Sequence, residues 1–256
     1  MDSVRIGGHD IAFSDEGDGP PTVLLPGFQS NAARWQAFGY HDAMPDRRLI
    51  AVDPLGHGRS SNETDSVHYS AERAVAEVTG VLDSLQIEKA VVWGFSRGGM
   101  IAALCAELAP ERCSAVIVGA SPLGAALDLT YPLLAAGVEV LAADDWDTYW
   151  AGFPIPLPPE IKDYLQSTNH APSNAAAIEG MIGWRDAHPD AGLAPVDVPR
   201  MAYFGSGEVF ADTLRGELVA HDVEYHEGSW DGHAATMADA PGVVAAVRPF
   251  LERHGV

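Results

Sequence analysis

Two hydrophobic periods alternate along this chain. "VRIGG" and "DIAFSDEG" predict a leading hairpin with glycine at its turn, and "EGDGPP" closes the second strand. "TVLLPGF" and "RLIAVDPLGHG" are continuous apolar runs, each stopped by proline and glycine, with "NAARWQAF" between them as a short helix. From Ser70, the expected N-cap, apolar residues recur at Ala71, Val75, Val78, Val81, Leu82 and Leu85, which is one helix face. "AVVWGF" is the next strand. Ile101, Leu104, Cys105 and Leu108 mark a helix, Pro110 ends it or opens a turn, and "SAVIVGA" follows as a strand. Strands apolar on both faces with helices between them predict a mostly parallel sheet with right-handed crossovers.

The rhythm breaks near Ser121 and resumes near Arg200. Residues 121–199 contain the proline cluster "FPIPLPPE" and the aromatics Trp146, Tyr149, Trp150, Phe153, Tyr164 and Trp184. So long a stretch inside one domain needs its own structure, and a mostly helical insertion over one end of the sheet is expected. Each aromatic taken singly is better assigned to packing than to a ligand. "RMAYFG", "DTLRGELVAH", "VEYHEG" and "PGVVAAVRPFLERHG" then restore strand, helix, strand, helix. Residues 1–120 and 200–256 form the expected core domain, and 121–199 the insertion.

Composition narrows the function classes. The 256 residues can bury a large core without a staple, and Cys105 and Cys113 are expected as buried, reduced thiols. A net charge of −21 repels phosphate backbones and anionic lipid, so neither nucleic acid nor a membrane is an expected partner. "MDSVRIGGHD" has no basic stretch leading into an apolar one, and "LLAAGVEVLAA" is too short to span a bilayer. A soluble, cytoplasmic protein is expected.

The chemistry centres on "GFSRGG". In G-x-S-x-G, small residues beside a serine permit a strained strand-to-helix turn that lifts its Oγ clear of the sheet. Ser96 is that serine, and the N–H of Arg97 falls at a helix start, where positive partial charge gathers. A serine needs a base. His233, in "SWDGHAATMADAPG", is expected in a loop at the same sheet edge as Ser96. His57, in "DPLGHGRS", is its rival, although that turn better suits the pocket floor. His9, His41, His68, His221, His226 and His254 fit surface positions, and His170 and His188 fall in the insertion.

An imidazole base is oriented by a carboxylate. Glu208 follows the strand "RMAYFG" and lies between Ser96 and His233 in the chain; Asp212 is the runner-up, near a helix start. Glutamate's extra methylene lets it approach from a more distant backbone. A second oxyanion donor is available in "LLPGFQSNAARW", where Gly27 lets the N–H of Phe28 turn toward the serine. Two such donors stabilise a tetrahedral oxyanion by several kcal/mol, since removing one costs roughly 3–4 kcal/mol.

These segments, in this order, resemble the α/β-hydrolase superfamily: "LLPGF" with Trp35 downstream, "DPLGHGRS", "GFSRGG", and "DGH" near the C-terminus. The resemblance covers nearly the whole chain outside the insertion. It implies an α/β fold with about eight mostly parallel strands, flanking helices, and a helical cap inserted after the sixth strand. It also implies Ser96 as nucleophile, His233 as base, and the Phe28 and Arg97 amides as oxyanion donors. There are two departures: Pro26 stands where the family often has His, and Glu208 where it usually has Asp. A serine nucleophile points away from the family's dehalogenases and epoxide hydrolases, which use Asp.

"GSGEVF" lacks the third glycine of a dinucleotide fingerprint, and no H-E-x-x-H, paired C-x-x-C or P-loop occurs. Neither metal nor cofactor is expected. The expected reaction is acyl transfer on a small to medium, partly apolar carboxylic ester or lactone. Residues 121–198 hold two basic and eleven acidic side chains, which disfavours anionic acyl groups. The same triad also serves C–C bond hydrolysis, perhydrolysis or a lyase, and a receptor-like protein could use such a pocket to bind a small molecule with little turnover.

Overall fold

The computed structural model describes residues 1–152 and 158–256; Phe153 and most of the "FPIPLPPE" cluster lie outside the described residues. Eight strands form one sheet: β1 Asp2–Ile6, β2 His9–Glu16, β3 Pro21–Leu25, β4 Arg48–Val52, β5 Ala90–Phe95, β6 Cys113–Gly119, β7 Arg200–Gly205 and β8 Glu224–Gly228. Their spatial order is β1-β2-β4-β3-β5-β6-β7-β8. The β1–β2 hairpin pairs antiparallel within itself and with β4, and every pairing from β4 to β8 is parallel. The mostly parallel sheet read from the apolar runs is the one observed.

The core helices are α1 Ala33–Ala37, α2 Tyr40–Ala43, α3 Ala71–Ser84 and α4 Arg97–Leu108. Between β6 and β7 the chain forms α5 Leu127–Ala135, α6 Val138–Ala142, α7 Trp146–Gly152, α8 Pro159–Thr168 and α9 Ala171–Ala187. It closes with α10 Ala211–Ala220, α11 His233–Ala238 and α12 Ala240–His254. Ser70 caps α3 as expected, its Oγ accepting from the Arg73 N–H at 3.3 Å.

Strand alternation divides the core into two layers. Val23, Leu25, Ala90 and Val92 face α3 and α4, whereas Leu24, Val91, Trp93 and Phe95 face α1, α2 and α12. On the second face Trp35, Tyr40, Trp93 and Tyr203 pack edge to face, and Trp93 Nε1–H donates to Tyr203 Oη at 3.1 Å. Burial on both faces explains why these strands read as unbroken apolar runs. Cys105 and Cys113 are buried free thiols; burial pushes the Cys113 thiol up to about 12. Among the described residues no helix is long and apolar enough to cross a membrane.

Candidate active site

The site assembles at the carboxyl ends of β3, β5, β7 and β8, where open parallel sheets present their loops. Ser96 directly follows β5 and N-caps α4, with φ 55° and ψ −120°. That conformation is uncommon for a residue bearing a Cβ, and the Ser96 N–H is held by the Gly119 carbonyl at 2.8 Å. The surrounding glycines have a steric reason. A Cβ at position 94 would lie 1.8 Å from the Gly98 oxygen, and one at position 98 would lie 2.1 Å from the Leu25 oxygen. Larger residues would push α4 away from the strand end and undo the turn that presents the hydroxyl.

The β3–α1 loop abuts this turn. A Cβ on Gly27 would meet the Ser96 Cβ at 3.3 Å. The loop is held by Asp53, the aspartate of "DPLGHG", whose Oδ1 accepts from Ala32 N–H at 2.6 Å and whose Oδ2 accepts from Arg59 N–H at 3.0 Å. Burial raises the Asp53 pKa, partly offset by those two amides. Phe28 and Arg97 both border the cavity at Ser96, and neither backbone N–H has a protein acceptor among the described residues. Two unspent donors thus flank the serine.

Glu208 and His233 come together from separate turns. Gly207 packs so tightly on the β8–α11 connection that a Cβ there would lie 2.7 Å from the Gly232 nitrogen. Ser206 N–H donates to the Gly228 oxygen at 2.9 Å and Gly207 N–H to the Trp230 oxygen at 3.2 Å, which stitches the two turns together. The result is a contact of 3.0 Å between Glu208 Oε1 and His233 Nδ1, with the Glu208 side chain 5% exposed and the imidazole 38%. His233 is the first residue of α11, not a loop residue as expected; Gly232, at φ 85°, makes the turn into that helix. The ring rests on Phe95 with centroids 4.7 Å apart. No hydrogen bond joins Ser96 Oγ to the imidazole among the described residues, and in ligand-free enzymes such contacts commonly tighten only with substrate.

The rivals lie elsewhere. Asp212 is 95% exposed and pairs with Arg215 at 2.8 Å, one helical turn along α10. His57 is buried beside Phe28, its Nδ1 3.1 Å from the Leu55 carbonyl oxygen. Burial, reinforced by the Arg97 charge, pushes its pKa down to about 3, far too low for a base near neutrality. His170 caps α9 and His188 pairs with Glu107 at 2.8 Å. His9 and His41, expected at the surface, keep only 15% and 13% of their side chains exposed.

A cavity of about 540 Å³ opens over Ser96, Glu208 and His233. Its far wall comes from the inserted helices: Tyr131, Leu134, Val140, Tyr149 and Met181. That wall combines two tyrosines with aliphatic side chains and methionine. The tryptophans serve packing: Trp146 stacks on Trp150, and Trp184 Nε1–H donates to the Tyr69 oxygen at 2.6 Å. Sequence reading missed the buried pair of charges beneath the cavity. The Arg97 guanidinium, in a residue 3% exposed, lies over the Trp184 ring at 5.5 Å and within electrostatic reach of Glu77. Burial holds Glu77 up to about 7. The available signal was Glu77 itself, a carboxylate on the apolar stripe of α3 between Ala74, Val78 and Val81.

Comparison with known proteins agrees with this architecture. Residues 20–154, more than half the chain, match the family described by the alpha/beta hydrolase fold. The chain belongs to that family. Epoxide hydrolase B of Mycobacterium tuberculosis is 27% identical over 87% of this α/β-hydrolase chain and 69% of its own length. The 2-hydroxy-6-oxo-2,4-heptadienoate hydrolase of Pseudomonas putida is 29% identical over 63% of this chain and 54% of its own. Among solved structures, the enol-lactonase of Burkholderia xenovorans superposes with a TM-score of 0.77 at 18% identity, covering 98% of this chain and 100% of that one. At that identity the last likeness shows the fold alone.

Proposed function

We propose that this protein is a serine hydrolase that cleaves a small to medium, partly apolar carboxylic ester or lactone through an acyl-enzyme. The observation that carries the proposal is the Glu208–His233 contact at the mouth of the cavity that Ser96 lines. Glu208 fixes Nδ1–H and stabilises the imidazolium, which leaves Nε2 to take the Ser96 proton. The Oγ–carbonyl bond forms, and the oxyanion faces the Phe28 and Arg97 amides. As the tetrahedral intermediate collapses, the alkoxide leaving group takes the proton from Nε2. Water then repeats the sequence on the acyl-enzyme and frees the acid and Ser96.

The helices between β6 and β7 that line the cavity act in this reading as a lid, covering the substrate with Tyr131, Leu134, Val140, Tyr149 and Met181. A cavity of about 540 Å³ with chiefly apolar walls suits an acyl group of modest size. The chemistry of residue 96 weighs against epoxide opening: a serine would form an ether that water does not cleave, whereas a carboxylate forms a hydrolysable ester. The acidic surface and the two reduced thiols fit a small-molecule enzyme of the cytoplasm.

The test is a panel of p-nitrophenyl esters and simple lactones on wild type and Ser96→Ala, with fluorophosphonate labelling of the folded protein. Turnover and labelling in wild type, and neither in the variant, are expected. A wild type that neither labels nor turns over any member would replace this reading with that of a small-molecule binder.

A further inference from the structure

A second cluster of chemical groups lies where the start of β2 meets the segment between β4 and α3, and none of its residues lines the cavity over Ser96. His9 begins β2, Glu63 lies in the loop, and His68 lies in the 3-10 turn Ser66–Tyr69. His9 Nε2 is 3.3 Å from Glu63 Oε2, and His68 Nε2 is 3.8 Å from the same oxygen. The two rings meet edge to face with centroids 4.9 Å apart. One donor atom from each of the three residues lies within 4.8 Å of the other two.

We propose that His9, Glu63 and His68 form a binding site for a divalent ion that prefers imidazole, of the Zn²⁺ type. Bonds of about 2.0–2.1 Å in tetrahedral geometry separate neighbouring ligand atoms by about 3.3 Å. The His9–Glu63 edge already has that length, and no edge needs to shorten by more than about 1.5 Å, within reach of small side-chain rotations. Two nitrogens and one carboxylate oxygen suit zinc and its neighbours and do not suit Mg²⁺, which takes oxygen ligands. The fourth position would be water.

The support around Glu63 resembles the outer shell of a metal site. Its Oε1 accepts from the Thr64 N–H at 2.7 Å and the Asp65 N–H at 3.2 Å, which aims Oε2 at both rings. His68 Nδ1 is buried without a partner among the described residues, so this ring gains its polar contact only through Nε2. A net charge of −21 favours cation capture.

Such an ion would tie the β1–β2 hairpin to the loop ahead of α3. The Glu63 carbonyl accepts from Tyr69 Oη–H at 2.7 Å, and the Tyr69 carbonyl accepts from Trp184 Nε1–H on α9. Two hydrogen bonds therefore link the site to the inserted helices. The proposal stands independently of the hydrolase reading.

The experiment is calorimetric titration of the untagged 256-residue protein with ZnCl₂, and in parallel with MgCl₂, alongside thermal melts. Wild type is expected to take up one Zn²⁺ per chain with a raised thermal midpoint, and no Mg²⁺ at the same concentration. His9→Ala and His68→Ala should each weaken uptake at least about 100-fold, the upper end of what losing even an outer-shell partner costs. His226→Ala and His254→Ala, exposed histidines off the cluster, should bind as wild type does. Glu63→Gln keeps an acceptor for the two amides and serves if either alanine variant misfolds; it too should weaken uptake. A wild type that takes up no Zn²⁺, or uptake that survives in a folded His9→Ala/His68→Ala double variant, overturns the proposal.

Discussion

Glu208 Oε1 stands 3.0 Å from His233 Nδ1, although they are 25 positions apart in the chain, with the helix α10 and the strand β8 between them. Asp212, four residues on, points into solvent and is held by Arg215. Glu208→Gln should therefore lower kcat by about 10²–10⁴-fold, because the amide neither fixes the Nδ1–H tautomer nor stabilises the imidazolium. Asp212→Asn should leave kcat within about twofold of wild type, as expected for an exposed pair of little energetic weight. Steady-state kinetics on one ester decides the matter, and loss confined to the Asp212 variant would reverse the assignment.

Ser96 sits at φ 55°, a conformation that costs a residue with a Cβ about 1–3 kcal/mol. Ser96→Gly should release that strain. Set against the roughly 0.5–1 kcal/mol extra entropy that glycine loses on folding, a gain of about 1 kcal/mol in unfolding free energy is expected. Ser96→Ala keeps the strain and should melt near wild type. Both should lack ester turnover. Urea denaturation of the three proteins checks the order, and a glycine variant less stable than the alanine variant would show that the turn is not strained.

Much of this was legible in the sequence because the sheet is buried on both faces. Runs such as "TVLLP" and "AVVWGF" have one interpretation when helices separate them, and the glycines around Ser96 mark a turn that only close backbone approach explains. What stayed hidden was set by tertiary contact. His233 begins a helix of six residues, too short for periodicity to show. Tyr131 and Met181 meet in the cavity wall only because helices 127–135 and 171–187 pack together, which no local pattern encodes. His9 and His68, 59 positions apart, look like isolated surface histidines until the hairpin folds against the loop.

The Glu208–His233 contact depends on a bare backbone at position 207. Gly207→Ala would place a Cβ 2.7 Å from the Gly232 nitrogen, and because that atom is main chain the two turns must separate. Displacing a catalytic group by about 1 Å costs on the order of 10²-fold in rate, so kcat should fall by about that factor. The forced overpacking should also cost about 1–3 kcal/mol. Kinetics and denaturation measured together check both; an alanine variant with wild-type kcat would mean that the turns tolerate the extra atom and do not position the pair.

His57 supplies a pH dependence that is separate from catalysis. Burial, and secondarily the Arg97 charge, lowers its pKa from 6.5 to about 3, so the folded protein holds a neutral ring that the unfolded chain would protonate below pH 6.5. Above that value both states are neutral and the contribution to stability is fully present. As pH falls from 6.5 toward 3 the unfolded state gains the proton alone, and stability is lost at about 1.4 kcal/mol per pH unit once well below 6.5. His57→Asn keeps a side-chain N–H for the Leu55 carbonyl and removes the titration. It should start less stable at pH 7 and lose less on acidification, so that the gap to wild type narrows by roughly 2 kcal/mol by pH 5. Unfolding free energies at the two pH values measure the gap, and parallel curves would show that the ring is protonated in the folded state as readily as in the unfolded one.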